Sequence, residues 1–155
     1  KQFSRDDTVE EVARLLEETQ LDPRCLKLEI TESAIMDSPE RASEILEDLR
    51  RMGVRLALDD FGTGYSSLSH LHRFPFDTLK IDRSFISRMG IEGQNPEIVR
   101  TIIALAGSLE MDVVAEGVET AAQAKVLLEM GCAHAQGWHF GRPGSAELAL
   151  ELLDR

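Results

Sequence analysis

At 155 residues, 43% of them hydrophobic and 29% charged, the chain fits one soluble globular domain or a large piece of one. Its net charge of −11 argues against a surface that grips bulk nucleic acid, which needs Lys and Arg in excess on one face. No apolar run approaches the roughly 20 residues needed to cross a bilayer, and KQFSRDD at the start lacks the basic beginning and apolar middle of a signal peptide, so a cytoplasmic location is expected.

In chain order, residues 5–19 predict a helix, with Val9, Val12, Leu15 and Leu16 on one face, acidic residues at its start and Pro23 just beyond. A strand is expected from Leu26 to Ile30. Asp37 and Ser38 can cap a second helix with Pro39 in its first turn, Ile45, Leu46 and Leu49 as its buried stripe and Gly53 as its stop. Val54 to Leu58 reads as the next strand. The loop DDFGTGYSS leads to a short helix near Leu68 to His72, then Phe74-Pro75 turns the chain into a strand from Thr78 to Ile81. A helix near Ser84, a polar break with Gly90, Gly93, Asn95 and Pro96, and a longer helix to about Leu109 precede a strand from Val113 to Ala115. Thr120 or a neighbour caps a helix ending at Gly131; a weaker strand around Ala133 to Gln136 and a helix from Ser145 complete the chain.

Short apolar segments alternating with helical periods predict an α/β fold with a parallel sheet of about five strands, formed as one domain over residues 1–155. An open dinucleotide-binding sheet would carry a Gly-rich turn after its first strand, and none stands there. A TIM-type (β/α) barrel, incomplete in this chain, is the expectation, because such a barrel places its chemistry after the C-terminal ends of several strands. Glu29, Asp59, Lys80 and Glu116 each lie at or just past such an end, beside the apolar Leu28, Leu58, Leu79 and Ala115. Alternation along strands then sends the polar set to the barrel mouth and the apolar set to the outer helices.

Carboxylates gathered in that way repel one another. Two divalent ions about 3.5–4 Å apart, bridged by a carboxylate, would relieve the repulsion and hold an attacking hydroxide against a phosphodiester. The adjacent Asp59 and Asp60 suit this role if the chain turns directly after the strand, a turn that Gly62 and Gly64 make easy. The histidines point elsewhere: His70 and His72 do not share a helix face, and His134 and His139 have no partner pattern. Cys25 and Cys132, far apart in apolar surroundings, are expected to be buried reduced thiols. Glu47 and Arg51 are expected to pair at i,i+4.

LEITES at Leu28 to Ser33, DDFGTGYSSL at Asp59 to Leu68, LKID at Leu79 to Asp82, AEGVE at Ala115 to Glu119 and QGWHFGRP at Gln136 to Pro143 resemble, in order and spacing, the EAL-domain family. The resemblance implies hydrolysis of cyclic di-GMP to linear pGpG with Mg²⁺ or Mn²⁺ in bacterial second-messenger signalling. It assigns Glu29, Asp59, Asp60 and Glu116 as metal ligands, with Asp59 bridging two ions and Lys80 holding or polarising the attacking water; Lys80, Glu29 and Asp59 would be catalytic. Glu32 would anchor the DDFGTG loop and Glu119 the metal-side loop, while Gln136, Gly137 and Pro143 would line the substrate site. Attachment to sensory or cyclase domains, or a homodimer, is the implied context.

Two features depart from the family pattern. Trp138 stands where a tyrosine is more usual. The glutamate of the E-A-L signature and an asparagine on the following strand have no counterpart, which implies three barrel strands and two metal ligands outside this chain. The alternatives are therefore a receptor that binds cyclic di-GMP without hydrolysis, or an inactive fragment. A parallel barrel short of three strands exposes two unpaired edges, which predicts coverage by partner chains or by the missing segment.

Overall fold

A computed structural model describes residues 8–62, 71–89 and 96–147. The first helix, α1 (Thr8–Thr19), buries Leu16 and half-buries Val9 and Val12 against the third helix, while Leu15 stays 44% exposed at the edge of the stripe. Strand β1 (Lys27–Thr31) follows a single 3₁₀ turn at Pro23–Cys25 that Asp22 caps. Directly after β1 comes α2 (Glu32–Met36), a five-residue helix too short to leave a period in the sequence.

Helix α3 (Pro39–Arg51) buries Ala42, Ile45, Leu46 and Leu49, the i, i+3, i+4, i+7 spacing of one face. Ser38 occupies its N-cap without a side-chain bond. Gly53, at φ +92°, closes it: its N–H donates to Arg50 O at 2.9 Å and the Val54 N–H to Leu49 O at 3.2 Å. These are the two bonds of a Schellman motif, whose left-handed residue favours glycine. On the exposed face Arg51 pairs with Asp48 one turn back, rather than with Glu47, because the shorter i,i+3 reach brings the guanidinium onto Asp48 Oδ1.

Strand β2 (Arg55–Phe61), β3 (Thr78–Ile81), the short α4 (Arg83–Ile86), α5 (Glu97–Ser108), β4 (Asp112–Ala115), α6 (Ala121–Glu129) and β5 (His134–Ala135) complete the described elements. Asp82 caps α4 by accepting from the Ser84 N–H at 2.9 Å. Thr120 and Gln123 form a reciprocal capping box at α6. The helix expected near Leu68 to His72, Gly64 of the loop, most of the polar break after Gly90 and the body of the helix from Ser145 lie outside the described residues.

All five strands are parallel, in the order β1-β2-β3-β4-β5. A doubly wound sheet reverses its strand order at a switch point. No reversal occurs here, and crossovers of a single hand then stack the helices on one face, which is the construction of a TIM-type barrel wall. Ile30, Leu56, Leu58, Leu79, Ile81 and Ala115 fill the layer between sheet and helices. The alternate residues face the other way: Lys27 of β1 donates to Thr78 Oγ1 of β3 at 3.0 Å across the inner face.

Two local expectations need correction. Cys25 is exposed rather than buried, because it ends the 3₁₀ turn on the surface; Cys132 is buried, and both thiols are free. Strand β2 does not stop at Leu58 but runs to Phe61, since the pairing with β3 shifts register between Leu58 and Phe61 and resumes at Phe61 opposite Ile81.

Candidate metal centre

The register shift in β2 builds the site. Asp60 sits at φ +57°, a conformation that Asp tolerates better than most residues. This bulged residue absorbs one position, so Phe61 returns to the buried layer. Asp59 and Asp60, which a regular strand would send to opposite faces, both reach the rim. The turn that the sequence assigned to Gly62 and Gly64 is thus made one step earlier, by Asp60 inside the strand.

Asp59, Asp60 and Glu116 each offer a carboxylate oxygen, and these oxygens lie within 4.8 Å of one another. Lys80, from the middle of β3, reaches up among them. Its Nζ lies 2.7 Å from Glu116 Oε1, 2.8 Å from Glu29 Oε2 and 3.1 Å from Asp59 Oδ1. Its side chain is only 6% exposed, whereas that of Glu29 is 50% exposed. Glu29 therefore joins the group through Lys80 and stands outside the compact trio.

The electrostatics follow from this crowding. Burial lifts the Glu116 carboxyl above its ordinary range against the pull of the Lys80 hydrogen bond. Burial and the neighbouring Asp59 and Asp82 raise Asp60 as well. Burial works against the Lys80 ammonium, yet its hydrogen bonds to Glu116, Glu29 and Asp59 prevail and hold its pKa above the usual value. A cation at this rim is thus strongly favoured.

Behind the rim, Glu32 of α2 is 2% exposed and accepts the Gly62 N–H through Oε2 at 3.0 Å. Its other oxygen, Oε1, is buried without a hydrogen-bond partner among the described residues. Gln136, at the end of β5, donates from Nε2 to Glu116 Oε1 at 2.6 Å. Its backbone is locked on both sides of Glu116: the Gln136 N–H donates to Ala115 O at 2.8 Å, and the Val118 N–H to Gln136 O at 3.1 Å. Gly137 lies so close to Val118 that a Cβ there would stand 2.2 Å from the Val118 carbonyl oxygen, which only glycine avoids.

Glu119 and Pro143 do not join the cluster. Glu119 is exposed and contributes its N–H to Gln123 Oε1, and Pro143 is exposed on the segment after Phe140. Trp138 is 61% exposed and carries the Arg142 guanidinium 5.0 Å above its ring. Two residues gain a place that the sequence reading did not give them. Asp82 caps α4 beside the rim and adds to the negative field at Asp60. Gln123 accepts from Glu119 and Thr120 and donates to Ile86 O at 3.1 Å, tying α6 to α4. The LKID motif already contained Asp82; nothing in the spacing singled out Gln123.

The model of the EAL domain matches residues 1–143. The chain belongs to the EAL domain family. This EAL domain sequence is 48% identical over 141 residues to the cyclic di-GMP phosphodiesterase NbdA of Pseudomonas aeruginosa, covering 91% of the chain and 18% of NbdA. Its fold superposes on that of the MucR phosphodiesterase in complex with c-di-GMP, with a TM-score of 0.92 and 44% identity, over 96% of this chain and 60% of that one. The manganese and c-di-GMP complex of BlrP1 from Klebsiella pneumoniae matches at a TM-score of 0.82 and 34% identity, over 92% of this chain and 36% of that one. The chain spans about a fifth of the length of the curated relatives it matches. In EAL domain terms, the five strands described here are consecutive staves of a TIM-type barrel, and the acidic rim stands at their C-terminal ends.

Proposed function

We propose that this EAL domain hydrolyses cyclic di-GMP to linear pGpG with Mg²⁺ or Mn²⁺. The observation that carries the reading is the trio of Asp59, Asp60 and Glu116 with carboxylate oxygens within 4.8 Å. Oxygen donors of this kind suit hard divalent cations, and the raised pKa values of Asp60 and Glu116 mark an acidic cluster in need of positive charge. Asp59, Asp60, Glu116 and, on the far side of Lys80, Glu29 would hold the ions, with Asp59 as the bridging ligand. Bound ions would supply charge to the phosphoryl oxygens and acidify a water for attack.

The chain's own residues supply the rest. Lys80, kept protonated by its three carboxylates, would orient the water and meet negative charge developing on the phosphoryl group. The water oxygen forms a new bond to phosphorus, the bond from phosphorus to the ribose 3′ oxygen breaks, and that oxygen takes up a proton. Gln136 fixes the Glu116 carboxylate by its 2.6 Å hydrogen bond, and Glu32 fixes the backbone after Asp60 at Gly62. Gln136 and Gly137 are carried over as substrate contacts from the family motif, as is Pro143; Glu119 would steady the loop after β4.

Support for the substrate comes from the relatives, since NbdA is a cyclic di-GMP phosphodiesterase and MucR and BlrP1 are seen with c-di-GMP bound. MucR also carries a diguanylate cyclase activity, which favours attachment of this domain to a signalling module. We place the reaction in the cytoplasm; no described helix is long and apolar enough to cross a membrane.

The full-length protein should convert cyclic di-GMP to pGpG in Mn²⁺ or Mg²⁺, followed by chromatography. Asp59→Asn and Glu116→Gln should each lower kcat by about a hundredfold or more, the scale of losing an electrostatic group from a preorganised site. Binding without turnover in the unaltered protein would make it a receptor; turnover unchanged in both variants would remove the metal-centre reading.

A further inference from the structure

An ammonium group has three N–H donors, and those of Lys80 are met by three carboxylates from three different elements. With its side chain 6% exposed, water has little access to that head group. Among the described residues Lys80 is the only cation paired with Glu29, Asp59 or Glu116. Two of those partners, Asp59 and Glu116, belong to the trio that would ligate a divalent ion. Their oxygens Oδ1 and Oε1 already point at Lys80, at 3.1 and 2.7 Å. An ion entering the trio meets a like charge within a few ångströms and draws on the same lone pairs. Lys80 must then give up at least one contact, while Glu29, half-exposed, can follow it or turn away.

We propose that Lys80 is a built-in counter-ion that competes with divalent cations for Asp59 and Glu116, holding the rim together before an ion binds and weakening the affinity of the ion that does. The inference rests on the metal-centre reading and adds to it a second role for Lys80, separate from any role in turnover. Its long, unbranched stem allows the withdrawal, since the ammonium can swing without moving the backbone of β3. The rim would thus be assembled in advance, and ion affinity set by the contest between one tethered charge and a free one.

The test is Mn²⁺ binding by calorimetry to the full-length protein, alone and as Lys80→Met and Lys80→Arg, with unfolding followed in chelator and in Mn²⁺. Lys80→Met should bind Mn²⁺ at least fivefold more tightly. Its unfolding midpoint should fall below that of the parent protein in chelator and recover by a larger margin on adding Mn²⁺. Lys80→Arg, which keeps the charge, should stay within about twofold of the parent affinity. A Lys80→Met affinity equal to or weaker than the parent's overturns the proposal while leaving the metal centre standing. Parent protein that binds no Mn²⁺ removes both. Should Lys80→Met fail to fold, ¹³C-lysine spectra of the unaltered protein give the answer: saturating Mg²⁺ should shift the Lys80 side-chain signal, and an unmoved signal overturns the proposal.

Discussion

Asp60 is held by two opposed demands. Its left-handed backbone puts consecutive carboxylates on one rim, and that same placement raises its pKa through burial and through Asp59 and Asp82. The sign is definite. In the unfolded chain the group titrates near its ordinary 3.8, so a folded value above this means that the ionised carboxylate opposes folding at neutral pH. The opposition disappears as pH falls through the folded value. Asn tolerates the same backbone conformation without the charge. Asp60→Asn should therefore raise the unfolding midpoint in chelator and weaken Mn²⁺ binding, read by scanning and titration calorimetry; a loss of stability without ions would contradict this account. Lys80 has the reverse sign. Its raised pKa stabilises the fold fully below the unfolded value of 10.5, and the contribution is lost only as pH climbs through the folded value.

Among the elements, α2 shows what periodicity can and cannot reveal. Strands β1, β3 and β4 and helices α3, α5 and α6 were legible because each carries an apolar stripe of the right period or a recognisable cap, such as Thr120 before α6. Helix α2 has five residues and opens on Glu32, a charged residue buried at 2% exposure, so its pattern contradicts its position. The bulge in β2 was hidden for a related reason: φ at Asp60 depends on the pairing with β3, which no local spacing encodes. The rim itself was legible, since Glu29, Asp59, Lys80 and Glu116 share one face of neighbouring strands and meet at Lys80. The hydrogen bond from Gln136 to Glu116 was not, because it joins side chains twenty positions apart across a two-residue strand. Glu32→Ala removes the acceptor of the Gly62 N–H and should cost about 1–3 kcal/mol, the price of a buried donor left unpaired. Hydrogen exchange at Gly62 should quicken with it; unchanged protection at that amide would show that Glu32 is not its anchor.

At the scale of the whole molecule, sequential strand order explains why the chemistry gathers in one place. Every strand runs in the same direction and lies beside its sequence neighbour, so every C-terminal end opens onto one rim. Among the described residues β1 pairs only with β2 and β5 only with β4, which leaves two outer edges. An unpaired parallel edge is a template for another chain. Residues 1–155 expressed alone should self-associate with rising concentration in size-exclusion chromatography coupled to light scattering; a monomer throughout would mean that the edges are covered by other means.

The extra residue in β2 also makes this short stretch a counting device. Removing or adding one position between Leu58 and Phe61 would swap the sides of everything downstream to the strand's end, sending Phe61 toward solvent and one aspartate toward the oily layer. Evolutionary drift here should therefore favour letter changes over length changes, and a library of single-codon insertions and deletions would find these four positions rigid in number even where their identity bends.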